Sequence, residues 1–312
     1  MCGAIWVTDH DWYEFLSRQP DLDEVNFWRP SDKRTPRQLV PGTPVIFKLK
    51  KAHGGHVVGF GIFARHDVLP AWLAWDSFEL ANGAPTFAEM RRRIERLRHD
   101  RGGARAMSGD YEIGCVMLTQ PVFFGREDWI APPAGWPENA VQGRGYDLDA
   151  GEGARIWAEC LERAGRVARP EIRRTLVAED APRYGAPGLV APRLGQGTFR
   201  IAVLDAYGRA CAVTGEHSLP ALEAAHIRPF ADDGPRAVTN GLLLRSDIHR
   251  LFDRGYGGVT PDHRFVVSRH LREDYSNGRS YYPLDGSAVR LPDIAAERPD
   301  GRQLEWHLER VF

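Results

Sequence analysis

The chain has 312 residues, of which 43% are hydrophobic and 10% aromatic, and its formal net charge is −1. This length suits two ordinary domains with cores of their own, and the composition excludes a disordered or fibrous chain. A near-zero net charge excludes whole-molecule attraction to nucleic acid, so any such contact must come from charge sorted locally.

The N-terminus, MCGAIWVTDHDW, has neither a basic leader nor a sustained apolar run, and no segment reaches the length of a membrane span. Cys2, Cys115, Cys160 and Cys211 are scattered without disulfide or metal spacing, which fits a reducing compartment. A cytoplasmic protein without membrane contact is the expectation. Alternating or β-branched runs at 4–8, 44–49, 56–63 and 113–119 predict strands. Residues 9–17 and 88–98 predict helices, the second from Met90, Ile94 and Leu97 at helical spacing. Charge is sorted along this half. Residues 9–24 hold six acids and one Arg, residues 29–56 seven Lys or Arg and one Asp, and residues 91–105 seven Arg and two acids. Such segregation suits a phosphate-facing side, although a solvated charged helix explains the last cluster equally well. Seven of the nine tryptophans precede residue 140, and most are expected to be core or lid residues, because large aromatics dominate packing.

The segment EVNFWRPSDKR with LVPGTPVIFKL and GGHVVGFGIFARHDVLP resembles the PUA-like superfamily, most closely its EVE-type branch, over residues 1–137. There a turn bearing polar and aromatic residues precedes a strand and then a Gly-rich strand. The resemblance implies a β-barrel decorated by helices that takes a modified base out of the stack and holds it against aromatic walls. On that reading Asn26, Phe27 and Trp28 are the base-binding residues and Trp6 and Phe47 complete the wall. Arg29, Lys33, Arg34 and Arg37 hold the flanking phosphates.

Residues 138–193 read as a connection. Ala154, Ile156, Trp157, Cys160, Leu161 and Ala164 give one helix an apolar face with Asp149 as N-cap, and the Pro-, Gly- and Arg-rich stretch that follows reads as a linker. Residues 194–312 form the last domain, with helices expected at 198–207 and at the C-terminus.

Within it, His226 follows an apolar strand-like run, Asn240 lies in a turn, and His249 and Asp253 sit four residues apart on a short predicted helix, 246–254. Phosphodiester cleavage requires a base that activates water and a cation at the phosphate, and this ordered set supplies candidates for both. A lone buried histidine is more often a core residue than a catalyst; the constellation changes that balance. CAVTGE, LEAAHIRP, NGLLLRSDIH and LFDRG together resemble the HNH, or ββα-metal, endonucleases over residues 211–260. The resemblance implies His226 as general base, Asn240 as the orienting catalytic residue and His249 as catalytic metal ligand, with Asp253 as a further ligand. It implies a divalent ion, Mg2+ or Mn2+. Two departures stand out. Ala225 occupies the position before the base where a ligand is often found, leaving Glu223 as a weak substitute, and Thr214 stands in the partner position of Cys211, so no structural zinc is expected.

An α+β chain of this kind, with an N-terminal PUA-like β-barrel and a C-terminal ββα-metal nuclease domain, resembles the modification-dependent restriction endonucleases. The expected partner is double-stranded DNA carrying 5-methylcytosine or 5-hydroxymethylcytosine, with the chain acting as a homodimer or pairing transiently on the DNA. The alternatives are an HNH nuclease whose N-terminal domain recognises unmodified DNA or RNA, and, less favoured because both histidines are present, a catalytically dead adaptor.

Overall fold

In the computed structural model, which describes residues 1–30, 39–99, 111–137, 143–167 and 194–312, the chain divides into two units, Met1–Gly195 and Gln196–Phe312. The sheet of the first unit consists of β1 (Cys2–Thr8), β2 (Glu24–Arg29), β3 (Pro44–Leu49), β4 (Val57–Pro70), β5 (Glu112–Phe123) and β6 (Arg144–Asp147). Its order is β2-β5-β4-β3-β1-β6, with β1 parallel to β3 and the other pairs antiparallel. β2 and β6 are therefore edges. The expected closed barrel is not found among the described residues; the six-stranded sheet is open.

Both faces of this sheet are covered, and period-two alternation assigns each residue to its face. Ala4, Trp6, Val45 and Phe47 point to one side and pack with Trp12, Tyr13 and Leu16 of α1 (His10–Leu16). Ile5 and Ile46 point to the other and pack with Phe60, Phe124 and the Ile156–Cys160–Ala164 stripe of α4 (Gly151–Val167). Each fully buried Val, Ile, Leu or Phe among them contributes about 1.5–3 kcal/mol. β6 and α4, set apart with the connection on sequence grounds, thus lie in the first unit. α2 (Ala71–Phe78) and α3 (Phe87–His99) complete it.

The second unit places α5 (Gln196–Ala206) ahead of a hairpin of β7 (Leu222–His226) and β8 (Gly241–Arg245), and β8 runs directly into α6 (Ser246–Asp253). Strand, loop, strand and helix form the ββα unit. Ile248 and Phe252, four apart on α6, are buried in the core, which turns His249 and Asp253 to an adjacent face. β9 (Gly257–Val259) pairs with β10 (Phe265–Val267), and α7 (His270–Tyr275) and α8 (Gly301–Arg310) follow. Asp300 caps α8 by accepting from the Arg302 amide, and His307 of this helix stacks on Phe252 at 3.7 Å between ring centroids. Among the described residues no helix is long and apolar enough to cross a membrane.

Candidate active site

His226 ends β7 opposite Gly241, the first residue of β8. A Cβ at Gly241 would fall 2.5 Å from Val203 Cγ2 and 3.0 Å from Phe199 Cζ, so only glycine allows α5 to approach this closely. That approach lays the Phe199 ring on the His226 imidazole, centroids 4.0 Å apart and planes 12° apart. Burial, then the positive charges of Arg236 and His249, push the His226 pKa below its ordinary value, against a smaller opposing pull from Asp253. His226 is consequently unprotonated near neutral pH, with a lone pair free to accept a proton.

Asn240 is fully buried and fixes the loop that follows His226. Its Oδ1 accepts from the Arg228 amide at 3.0 Å, and its Nδ2 donates to the carbonyls of Arg228 at 2.9 Å and Pro235 at 3.0 Å. Its own carbonyl accepts from the Ile227 amide at 2.9 Å. One side chain thereby ties both ends of the Arg228–Pro235 segment to the start of β8, immediately beside the residue paired with His226.

His249 lies between two carboxylates. Its Nδ1 is 2.7 Å from Glu223 Oε2 on β7 and its Nε2 is 3.3 Å from Asp253 Oδ2, one turn further along α6. Burial would lower the His249 pKa, but the hydrogen bonds and charges of Asp253 and Glu223 outweigh it and the net shift is upward. Ala225, before the base, is buried and offers no donor atom. Cys211, at the turn following α5, is buried, and its Sγ accepts from the amides of Thr214 at 3.4 Å and Arg245 at 3.2 Å.

Among the described residues no group of three or more His, Cys, Asp or Glu is arranged to hold a metal ion. The donor chemistry at α6 nevertheless fits a hard divalent cation. An imidazole nitrogen and a carboxylate oxygen face each other on one helix face, and Mg2+ or Mn2+ takes few protein ligands and keeps its remaining positions for water and phosphate.

In the first unit the sequence-derived base pocket is largely core. Phe47 is 0% exposed between Trp12 and Phe123, and Trp6 is packed in the same cluster, so neither presents a face to a base. Asn26, expected in a turn, lies in β2 opposite Met117; it is 0% exposed and its Nδ2 donates to Asn82 Oδ1 at 2.9 Å. Phe27 and Trp28 are half-buried, and the Trp28 indole donates to the Asn82 carbonyl at 2.8 Å. Arg29 lies over the Trp6 ring at 4.5 Å. Lys33, Arg34 and Arg37 fall outside the described residues. On α3, Arg91 and Arg93 bond Glu95 and Glu89, and Arg98 donates to the Pro30 carbonyl. These arginines serve the fold.

Residues 211–260 match the HNH endonuclease family, so the chain carries an HNH endonuclease domain on the ββα unit that holds His226, Asn240 and His249. No curated protein matches the chain. Among solved structures it is similar to a protein titled "Modification dependent TagI restriction endonuclease", at 14% identity over 98% of this chain and 81% of that one, with a TM-score of 0.29.

Proposed function

We propose that this chain is a metal-dependent endonuclease that hydrolyses phosphodiester bonds in double-stranded DNA. The observation that carries this reading is the single hairpin-and-helix unit on which a pKa-lowered histidine, a loop-clamping asparagine and a carboxylate-flanked histidine meet. His226 accepts a proton from the attacking water. Phe199 at its face and the loop held by Asn240 keep the ring in one orientation. His249 and Asp253 hold the cation, which when bound neutralises charge on the phosphate and on the departing oxygen. His226→Ala should reduce cleavage by about two to four orders of magnitude and leave DNA binding intact, because the base touches water and not the duplex backbone. Full cleavage in that variant would remove the assignment.

The first unit is read here as the module that selects the DNA, with modified cytosine as the target. Support comes from the sequence resemblance of residues 1–137 to PUA-like domains and from the half-buried aromatic pair Phe27 and Trp28 on the edge strand β2. Digestion of matched DNAs containing cytosine, 5-methylcytosine, 5-hydroxymethylcytosine or glucosylated cytosine tests this directly. Equal cutting of all four would favour recognition of unmodified DNA.

A further inference from the structure

Glu223 and Asp253 approach His249 from opposite ring nitrogens, and the two distances differ. The 2.7 Å separation at Nδ1 is that of a charge-assisted hydrogen bond, whereas the 3.3 Å separation at Nε2 is longer than such a bond. A neutral imidazole has one N–H to give, and the closer carboxylate takes it. We propose that Glu223 is a positioning residue: it accepts the Nδ1 proton of His249 and so holds the ring with the Nε2 lone pair turned toward Asp253, where the divalent cation binds. This deepens the nuclease reading and rests on it for the cation.

Three features favour that polarity. A single cation cannot bind both nitrogens of one ring, so only one of the two carboxylates shares it with His249. Asp253 lies one turn from His249 on the same helix, so these two groups are presented together by one rigid element, whereas Glu223 comes from the hairpin. The buried methyl of Ala225 removes the neighbouring donor that would otherwise help orient a cation from β7, and the task of aligning His249 falls to a residue two positions earlier. The Glu223 bond also spans 26 residues, joining the hairpin to the helix that carries both ligands. Carboxylates behind a metal-binding histidine set its tautomer in this way, and losing one typically costs ten- to a hundredfold in metal affinity.

The test uses the full chain labelled with 15N, at a pH alkaline enough for neutral imidazoles and without metal. Long-range proton–nitrogen correlation, with His249 assigned by its loss in His249→Gln, should show the Nδ1–H tautomer. Calorimetry with Mn2+ supplies the second readout. Glu223→Ala should move His249 to the Nε2–H form and weaken Mn2+ binding about ten- to a hundredfold. Glu223→Gln, whose amide oxygen accepts the same hydrogen bond, should keep the tautomer and most of the affinity. An unchanged tautomer and affinity in Glu223→Ala overturns the proposal. So does a Gln variant as weak as the Ala variant, which would make Glu223 a ligand, or an Nε2–H tautomer in the parent chain, which would put the cation on the other side. If Glu223→Ala fails to fold, the parent tautomer and the Gln variant still decide. Neither readout involves DNA, so cleavage surviving in His226→Ala would sink the nuclease roles and leave this result standing.

Discussion

The lowered pKa of His226 determines how the site responds to acid. A general base works only when unprotonated, and burial together with Arg236 and His249 places its midpoint below the ordinary histidine value of about 6.5. Cleavage measured as kcat/KM at saturating cation should therefore be level above neutrality and fall as pH drops through that lowered midpoint. Arg236→Ala removes one of the charges responsible, so its acid limb should shift upward, toward the ordinary value. A limb that stays in place would show that burial alone sets the midpoint. Asp253 presents a different case: it is exposed and lies 3.3 Å from His249 Nε2 without support from the core. Asp253→Ala should weaken Mn2+ binding without lowering the thermal midpoint, and calorimetry beside a melting curve separates the two effects.

At the level of elements, two clamps hold the ββα unit, and they fail under different conditions. Asn240 satisfies four backbone groups of the adjoining loop and strand through its side chain and carbonyl. Asn240→Ala leaves two part-buried carbonyls and an amide without their side-chain partner and should cost about 1–3 kcal/mol in urea denaturation, with cleavage lost beyond that through the freed loop. The second clamp is His307, 2% exposed on α8, which stacks on Phe252 and pairs through Nε2 with the Phe252 carbonyl. Burial lowers its pKa to about 4, whereas the unfolded chain protonates it near 6.5. The unfolded state thus binds the proton first, and stability present above about pH 6.5 is lost progressively down to about pH 4, on the order of 3 kcal/mol in all. His307→Phe should flatten this part of the stability profile relative to the parent chain. These elements were unequally legible in the sequence. β1, β3, α5 and α6 follow from apolar periodicity, and the loop-tying use of Asn240 follows from an amide in a turn between two strands. β2 did not, because polar Asn26 and the nearby Pro and Asp residues read as a turn, while its pairing partner β5 lies far along the chain. The Glu223–His249 bond was equally hidden: an acidic residue on a strand is ordinary until a helix from 26 residues later is laid against it. The aromatic wall failed for a related reason, since composition does not say which face of a strand is covered, and β3 is covered on both.

For the whole molecule, the chain divides into two compact units, so on the proposed reading selecting the DNA and cutting it are separable tasks. One HNH site accommodates one strand at a time, so a double-strand break requires a second passage or a second copy, and sedimentation on DNA distinguishes these. The proposed reader is tested in the full chain by three variants compared on modified and unmodified duplexes. Trp28 is half-buried on the edge strand β2, and stacking of a base is worth about 1–3 kcal/mol. Trp28→Ala should therefore weaken binding to modified DNA by about tenfold to a hundredfold while hardly changing weak binding to unmodified duplex. Trp28→Phe should retain much of the preference, which separates stacking from the loss of the bond to the Asn82 carbonyl. Arg29→Ala should weaken both substrates together and lower the salt dependence by about one phosphate contact, because such contacts carry no sequence information. His226→Ala should bind with the preference of the parent chain and not cut, which places selection and chemistry on different residues. Equal binding of modified and unmodified DNA by the parent chain would instead leave the nuclease site in place and remove modified cytosine as its guide.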